Sequence, residues 1–563
     1  MHKFLLYIVL VLLVQEVKAQ DHPQNYFGAP LDIPLILSGT FGELRHNHFH
    51  AGIDFKTKGQ SGLKIYAIAD GYVSRIKVSP YGYGKAIYIE HDNGYSSVYA
   101  HLMRYNAKIQ DYVVSQQYEA QSYDIELFPK SDFLRVKKGD VIGLSGNTGS
   151  SFAPHLHFEI RNSKNQNPLN GLRFGLDIKD NISPIIKNLK VYSKSSKTQI
   201  DGQYADKLMT VIGEYGEFTL KDTVKVSGPF ALGIHTYDLL NGANNKNGVY
   251  SIEIFIDEQL SYSHKMEEFA FQESRYINSH VDYYEKIESN IKFHKCYIQP
   301  NNKLSIYDFI SNNGTILPHD SIQTVEIFVD DVYGNSSLLK FYVEKVEFDS
   351  LIIKDSVPFV KVFPFNSRNY FKNEYVTVDI PTNSLYDTLH FEYKMTEDST
   401  LYSPVHHIHN SRTAVHNSYS IEIKANVPTD LISKAFICNI NDKGKLSYVG
   451  GKYEDGKIST KTKTFGKYSL TVDTIPPTVK GLNIYPGKSM KSSTLKMNIK
   501  DDFSGIKTYN GYIDGEWVLM EYEPKSNRLT HYFRELKAGK HEFKLVVTDM
   551  VDNTTTYTAE FYR

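Results

Sequence analysis

The chain has 563 residues, with 63 Lys plus Arg against 64 Asp plus Glu and a formal net charge of -1. That balance excludes the basic excess typical of nucleic-acid binders, and a hydrophobic fraction of 41% excludes a disordered chain. Cys296 and Cys438 are the only cysteines, which excludes a disulfide framework, and an aromatic fraction of 13% leans toward β structure.

Lys3, an apolar run over residues 4–14 and the ending Val17-Lys18-Ala19 predict a signal peptide over 1–19, cleaved after Ala19. The run is about eleven residues, short of the roughly twenty a bilayer-spanning helix needs. No Cys follows the cut, and no later segment is apolar enough to cross a membrane. The expectation is an exported protein without stable membrane insertion. The plain signal peptide and few cysteines suit the periplasm, with the cell surface or the medium left open.

From 30 to 161 the text reads as short strands with Gly-rich turns. Ala86-Ile87-Tyr88-Ile89-Glu90-His91, the turn Asp92-Asn93-Gly94 and Ser97-Val98-Tyr99-Ala100-His101 predict a hairpin. Residues 103–135 break the rhythm. Ile109, Tyr112, Val113 and Gln116 at helical spacing predict a short helix within an insertion that could wall or gate a cleft.

The chemistry-bearing residues all precede residue 160. His50-Ala51-Gly52-Ile53-Asp54 sets an imidazole and a carboxylate four apart, on one face if the segment is an extended strand. His155-Leu156-His157 sets two imidazoles on one face, and His101 closes a predicted strand. Two imidazoles and a carboxylate can hold Zn²⁺ with a fourth position open, the pattern of catalytic zinc. Two further histidines could move a proton and stabilise the oxyanion of amide hydrolysis. His46 and His48 alternate with His50 but have no Asp partner at that spacing. His406, His407, His409 and His416 resemble a metal tract, and their polar setting predicts solvated surface.

Residues 40–161 resemble the lysostaphin-type (LytM-type) zinc metallopeptidases that cut peptidoglycan cross-bridges. The resemblance runs through His50 and Asp54, Ala67-Ile68-Ala69-Asp70-Gly71-Tyr72-Val73, Tyr81-Gly82-Tyr83-Gly84-Lys85 and Tyr99-Ala100-His101-Leu102. It continues through Lys138-Gly139-Asp140-Val141-Ile142-Gly143, Gly146-Asn147-Thr148-Gly149 and His155-Leu156-His157-Phe158-Glu159. It implies a compact antiparallel β domain in which His50, Asp54 and His157 bind zinc. His101 and His155 would be the unligated catalytic histidines, with the general base unassigned between them. Phe152-Ala153-Pro154 departs from the family's usual Gly-Pro and would alter the rim of the cleft.

Beyond Pro168 the text changes to β modules. Asp followed by Pro opens a stretch three times, at Asp180 and Pro184, Asp355 and Pro358, and Asp473 and Pro476. A closing phrase occurs twice, Val329-Asp330-Asp331-Val332-Tyr333-Gly334-Asn335 and Val547-Thr548-Asp549-Met550-Val551-Asp552-Asn553, with a weaker echo at Asn441-Asp442-Lys443-Gly444. The predicted fold class is therefore mainly β. A metallopeptidase domain over 20–180 precedes about three β-sandwich modules, similar to bacterial immunoglobulin-like domains, over 181–346, 347–471 and 472–563. The first carries a helical insertion near 266–288, where Phe269, Tyr276, Ile277, Val281, Tyr284 and Ile287 form a core-facing stripe.

The functional expectation is an exported zinc endopeptidase acting on peptidoglycan peptide, with no nucleic-acid partner. The β modules could bind glycan, a partner protein or each other. The alternative is a cell-wall-binding or activator protein in which those modules do the work.

Overall fold

The computed structural model describes residues 22–348 and 358–563. The expected signal peptide and Asp355 lie outside the described residues. Among the described residues no helix is long and apolar enough to cross a membrane. Both cysteines are buried and unpaired.

The N-terminal domain is built on a nine-stranded antiparallel sheet. Its strands are β1 (Leu37–Gly39), β2 (Ile53–Lys56), β4 (Gly71–Val78), β5 (Lys85–His91), β6 (Tyr95–Ala100), β8 (Ile125–Leu127), β9 (Arg135–Val136), β11 (His155–Asn162) and β12 (Pro168–Leu169). The path runs β1-β2-β11-β6-β5-β4-β8, with β12 on β11 and β9 on β4. A second sheet joins β3 (Lys64–Tyr66), β10 (Val141–Leu144) and β7 (Arg104–Tyr105). Central β5 and β11 are buried along nearly their whole length, while β4 alternates. Central strands are covered on both faces, so their text is apolar without strict alternation.

The predicted hairpin is β5–β6, and Gly94 takes the left-handed φ of 83° that its turn requires. The predicted helix is α1 (Ala107–Ala120). Asn106 caps it by accepting from the Ile109 amide, and Ile109, Val113, Val114 and Gln117 are buried. The outer side of α1 meets residues from the far end of the chain. Tyr118 packs edge-on to Trp517 with centroids 5.4 Å apart.

Strands from Ile185 to Lys345 form one eleven-stranded sheet. One core holds Leu189, Val191 and Ile234 from one part of its path and Val325, Ile327 and Phe341 from another, so the sheet folds over on itself. The stripe near 266–288 is three short helical pieces: a 3-10 turn Ser274–Tyr276 and helices Ile277–His280 and Tyr283–Glu288. Phe269, Tyr276, Ile277 and Val281 are buried, but Tyr284 and Ile287 are exposed. The buried part faces the N-terminal domain: Phe269 stacks on Phe41 at 5.0 Å and lies 5.5 Å from Phe49.

Two five-stranded sheets and a two-stranded pair follow between Lys361 and Val472. A four- and a five-stranded sheet complete the chain. The core of that last region, including Leu495, Met497 and Phe543, belongs to the same cluster as the N-terminal domain's core, so the chain returns onto its own beginning.

The closing phrases are one turn used repeatedly. Asp331 Oδ1 accepts from the Tyr333 and Asn335 amides, and Asp549 Oδ1 from those of Val551 and Asn553. In the weaker echo, Asn441 Oδ1 accepts from Lys443 and Lys445. A short polar side chain that caps its own turn explains the recurrent Asp or Asn.

Candidate active site

Strand register assembles the site. In β11, His157 pairs with Asp54 of β2 on one side and with Ala100 of β6 on the other, which places His101 at the end of β6 beside it. His155 and His157 share a face of β11, as their spacing predicts. The His50–Asp54 pair converges by a different route from the one expected. His50 precedes β2, and the chain bends at Gly52 before Ile53 enters the strand. A Cβ at Gly52 would lie 2.3 Å from the Phe158 carbonyl oxygen, so only glycine lets this segment press against β11.

The three expected ligands meet. His50 Nε2 lies 3.1 Å from Asp54 Oδ1 and 3.1 Å from His157 Nδ1, and His157 Nδ1 lies 2.9 Å from Asp54 Oδ1. All three side chains are buried. Donors sharing one zinc at about 2.0–2.1 Å in tetrahedral geometry sit roughly 3.4 Å apart, so a modest expansion would admit the ion.

The far nitrogens of the two imidazoles are committed elsewhere. His50 Nδ1–H donates to the Thr40 carbonyl at 2.7 Å, and His157 Nε2–H donates to Glu159 Oε1 at 2.8 Å. Each ring is thus held so that the nitrogen toward Asp54 would offer a lone pair once any proton there is displaced, the tautomer that metal binding requires.

His101 and His155 stand beside this cluster with ring centroids 4.8 Å apart. His101 Nδ1–H donates to the Thr148 carbonyl at 2.8 Å, and His155 Nδ1–H to the Ala153 carbonyl at 2.9 Å. His155 Nε2 lies 3.5 Å from Asp54 Oδ1. Both rings are therefore fixed from behind with Nε2 turned forward. His101 holds a left-handed φ of 59°, unusual for a non-glycine residue.

Electrostatics follow from burial and partners. Burial pulls the His157 pKa down, but hydrogen bonds and charge from Asp54 and Glu159 outweigh it and raise it to about 9. A proton and a metal cation thus compete for the same nitrogen. Burial, then His157 and His155, push His101 down to about 3, so this ring is neutral. Burial raises Asp54, but His50 and the three imidazole hydrogen bonds hold it well below the ordinary carboxylate range.

Several contributing residues carried no assignment in the sequence reading. Arg45 Nη2 reaches Asp54 Oδ2 at 3.2 Å and Glu43 Oε2 at 2.7 Å. Glu159 takes the Tyr83 hydroxyl as well as His157, and its Oε2 meets Arg161 Nη2 at 2.6 Å. A signal for the last group was present, since His155, His157, Glu159 and Arg161 recur every second residue along β11.

His46 and His48 are exposed and outside the cluster. The expectation of a solvated tract at 406–416 is corrected: His406 is fully buried in strand Val405–Ile408, and His416 stacks on Tyr276 at 4.0 Å. Tyr393 and the strand carrying Tyr468 cover His406 within its own region, and Tyr276 of the preceding one covers His416, contacts that their polar neighbours in sequence concealed.

A cleft of about 520 Å³ lies along the loop whose Thr148 carbonyl holds His101; Lys85, Thr148, Gly149 and Phe152 line one wall and Glu521 and Lys525 the other, and none of the five site residues lines it. Phe152 stands fully exposed on its rim. The opposing wall belongs to the C-terminal region. Lys85 Nζ meets Glu521 Oε2 at 2.8 Å, and Lys525 Nζ donates to the carbonyls of Asn147 and of Ser151, the latter at 3.1 Å.

Residues 48–124 and 130–170 match Peptidase family M23. The N-terminal domain is an M23 peptidase domain. The match is interrupted only over 125–129, so helix α1 falls inside it. DD-carboxypeptidase/endopeptidase Mpg of Neisseria meningitidis serogroup B is 33% identical over 145 residues, 24% of this chain and 27% of the relative. Lysostaphin of Staphylococcus simulans is 35% identical over 126 residues, 21% of this chain and 20% of the relative. The solved catalytic domain of lysostaphin is 28% identical, covering 23% of this chain and 80% of that one, with a TM-score of 0.17. The chain thus spans about a quarter of the length of the first of these relatives. Outside the M23 domain, residues 360–473 match a Zu5-like domain.

Proposed function

We propose that the chain is an exported zinc-dependent endopeptidase that hydrolyses amide bonds in peptidoglycan peptide stems or cross-links. The observation that carries this reading is the paired arrangement of the five residues. Three converge as a metal donor set, and two imidazoles beside them keep Nε2 unspent. The match to M23 and the relatives named above support the substrate class.

His50 Nε2, Asp54 Oδ1 and His157 Nδ1 would hold the zinc. Zinc bound there supplies Lewis acidity, polarising a carbonyl and lowering the pKa of water. His101 and His155, locked through Nδ1, would present Nε2 to the reacting atoms. One accepts the proton of the attacking water, and the other donates to the oxyanion of the tetrahedral intermediate. His155 is the better placed to handle the water proton because its Nε2 already faces Asp54. His101 would donate to the oxyanion from Nε2 only after taking up a second proton, since the Thr148 carbonyl holds its first at Nδ1.

The cleft toward Glu521 and Lys525 would receive the extended peptide, with Phe152 against its apolar face. In this reading residues 20–180 are the catalytic unit, and β modules over 181–346, 347–471 and 472–563 brace it, the last completing the cleft.

Purified peptidoglycan digested by the chain from Gln20 to Arg563, with and without a zinc chelator, tests the proposal. Mass spectrometry of the soluble fragments should show chelator-sensitive loss of cross-linked dimers and identify the bond cut. Intact dimers after digestion by zinc-loaded protein would reject the enzyme reading in favour of a binding or activator protein.

A further inference from the structure

We propose that His264, His280 and His294 form a second metal site, which binds a zinc-class divalent transition-metal ion through three imidazole nitrogens. One ring nitrogen of each lies within 4.8 Å of the others. The residues come from three separate elements: strand Gln259–Lys265, helix Ile277–His280 and strand His294–Lys295. Their exposures are 0%, 0% and 5%, so the cluster is sealed from solvent.

The hydrogen-bond inventory is incomplete without a cation. His264 Nδ1 is 3.0 Å from the Tyr262 hydroxyl, and His280 Nδ1 is 3.2 Å from that of Tyr307. The hydroxyls can donate to Nδ1 or accept from it, and Asn302 Nδ2 also donates to that of Tyr307; where they accept from Nδ1–H, both rings turn an unprotonated Nε2 away from the tyrosines. His280 Nε2 faces His294 Nδ1 at 3.0 Å, and among the described residues His264 Nε2 has no partner. Either tautomer can pair His280 Nε2 with His294 Nδ1, and either leaves His264 Nε2 stranded in a dry interior. A metal ion serves all three nitrogens together. A hydroxyl able to accept stands behind two of the three rings, the kind of support that orients metal-binding histidines.

The rings are also in the correct charge state, since burial depresses the pKa of all three and takes His264 to about 3. An all-nitrogen set selects a late first-row transition metal over Ca²⁺ or Mg²⁺, which take oxygen ligands. Among the described residues no carboxylate joins the group, so imidazole nitrogens alone would hold the ion.

The position gives such a metal a role. The His280 ring lies 6.0 Å from that of Phe49, the residue before His50. The same helical insertion supplies Ser274, whose Oγ accepts from the Phe49 amide at 2.9 Å, and Asn278, which donates to Asn47 at 2.8 Å. An ion joining two strands and the helix would fix the insertion that supports the His50 segment.

The test uses the full chain with the peptidase site disabled by Asp54→Ala/His157→Ala. After growth in zinc, elemental analysis should find about one zinc per folded chain, against about two in the parent. Zinc should also raise the melting temperature of the metal-stripped double variant, and Co²⁺ should give a visible d–d spectrum. Adding His264→Gln should remove the retained metal and the thermal shift. If that variant fails to fold, X-ray absorption on the zinc-loaded double variant decides by counting imidazole scatterers, with three expected. A folded double variant that holds no zinc and melts identically with and without it overturns the proposal. So does zinc retained after His264→Gln.

Discussion

Two buried histidine clusters lie on either side of Phe49, and they differ in what accompanies the imidazoles. At His50 and His157 the third donor is a carboxylate, and two further histidines stand beside the cluster with His155 partly exposed. At His264, His280 and His294 all donors are imidazoles, tyrosine hydroxyls stand behind two of the rings, and all three residues are buried. The side chain of His155 keeps 18% exposure, whereas His264 and His280 keep none. The difference teaches that converging histidines offer a set of metal donors, whereas a reactive site also needs an unspent imidazole and a route for substrate. The Asp54 charge would leave a bound divalent ion less positive than three neutral rings would.

Removing the feature present in one cluster alone should have the largest effect. His155→Ala should lower the rate of cross-link hydrolysis by about 10²–10⁴-fold, the range for loss of a general acid or base. Its zinc content should equal the parent's, because His155 is outside the donor set. Hydrolysis near the parent rate would transfer the role to His101. Glu159→Gln should act through metal affinity instead. It weakens the acceptor that fixes His157 and leaves buried Arg161 without its ion pair, so zinc affinity measured by chelator competition should fall about 10–100-fold. Tyr307→Phe, at the sealed cluster, should lower retention there by less, since a neutral hydroxyl is the weaker acceptor.

The parts of this comparison that local periodicity controls were readable in advance. His155-x-His157 fell on one strand face, Asp92-Asn93-Gly94 made its hairpin, and the capped turns at Asp331 and Asp549 explain why their phrases repeat. The approach of His50 to Asp54 was harder to read, because it depends on a bend at Gly52 against a strand about a hundred residues later. Glu159 and Arg161 were visible in the alternation of β11, yet their work depends on Tyr83 and on burial. The second cluster had no short motif at all. Its three histidines are spaced by loops whose geometry the fold decides. Similarly, burial of His406 and His416 comes from neighbours distant in sequence, so a polar context gave the opposite expectation.

The smallest effect should come from the wall of the open cluster's cleft. Lys525 crosses from the C-terminal region to the carbonyls of Asn147 and Ser151, on the loop that carries Phe152 toward His155. Its side chain is 35% exposed, so water competes for these contacts and their net worth is about 1 kcal/mol or less. Lys85 and Glu521 form a more buried pair nearby, at 6% and 22% exposure, which keeps the two regions docked when Lys525 is lost. Lys525→Ala should therefore leave the chain folded and the five site residues in place while the 147–154 loop loosens. A looser wall weakens binding of substrate and transition state alike, which raises KM about two- to fivefold with kcat little changed. Steady-state kinetics on a soluble cross-linked peptide separates the two constants. A fall in kcat with constant KM would mean that Lys525 acts on His155 through Ser151, whose hydroxyl lies 3.1 Å from His155 Nδ1. The C-terminal region would then position the catalytic ring as well as wall the cleft.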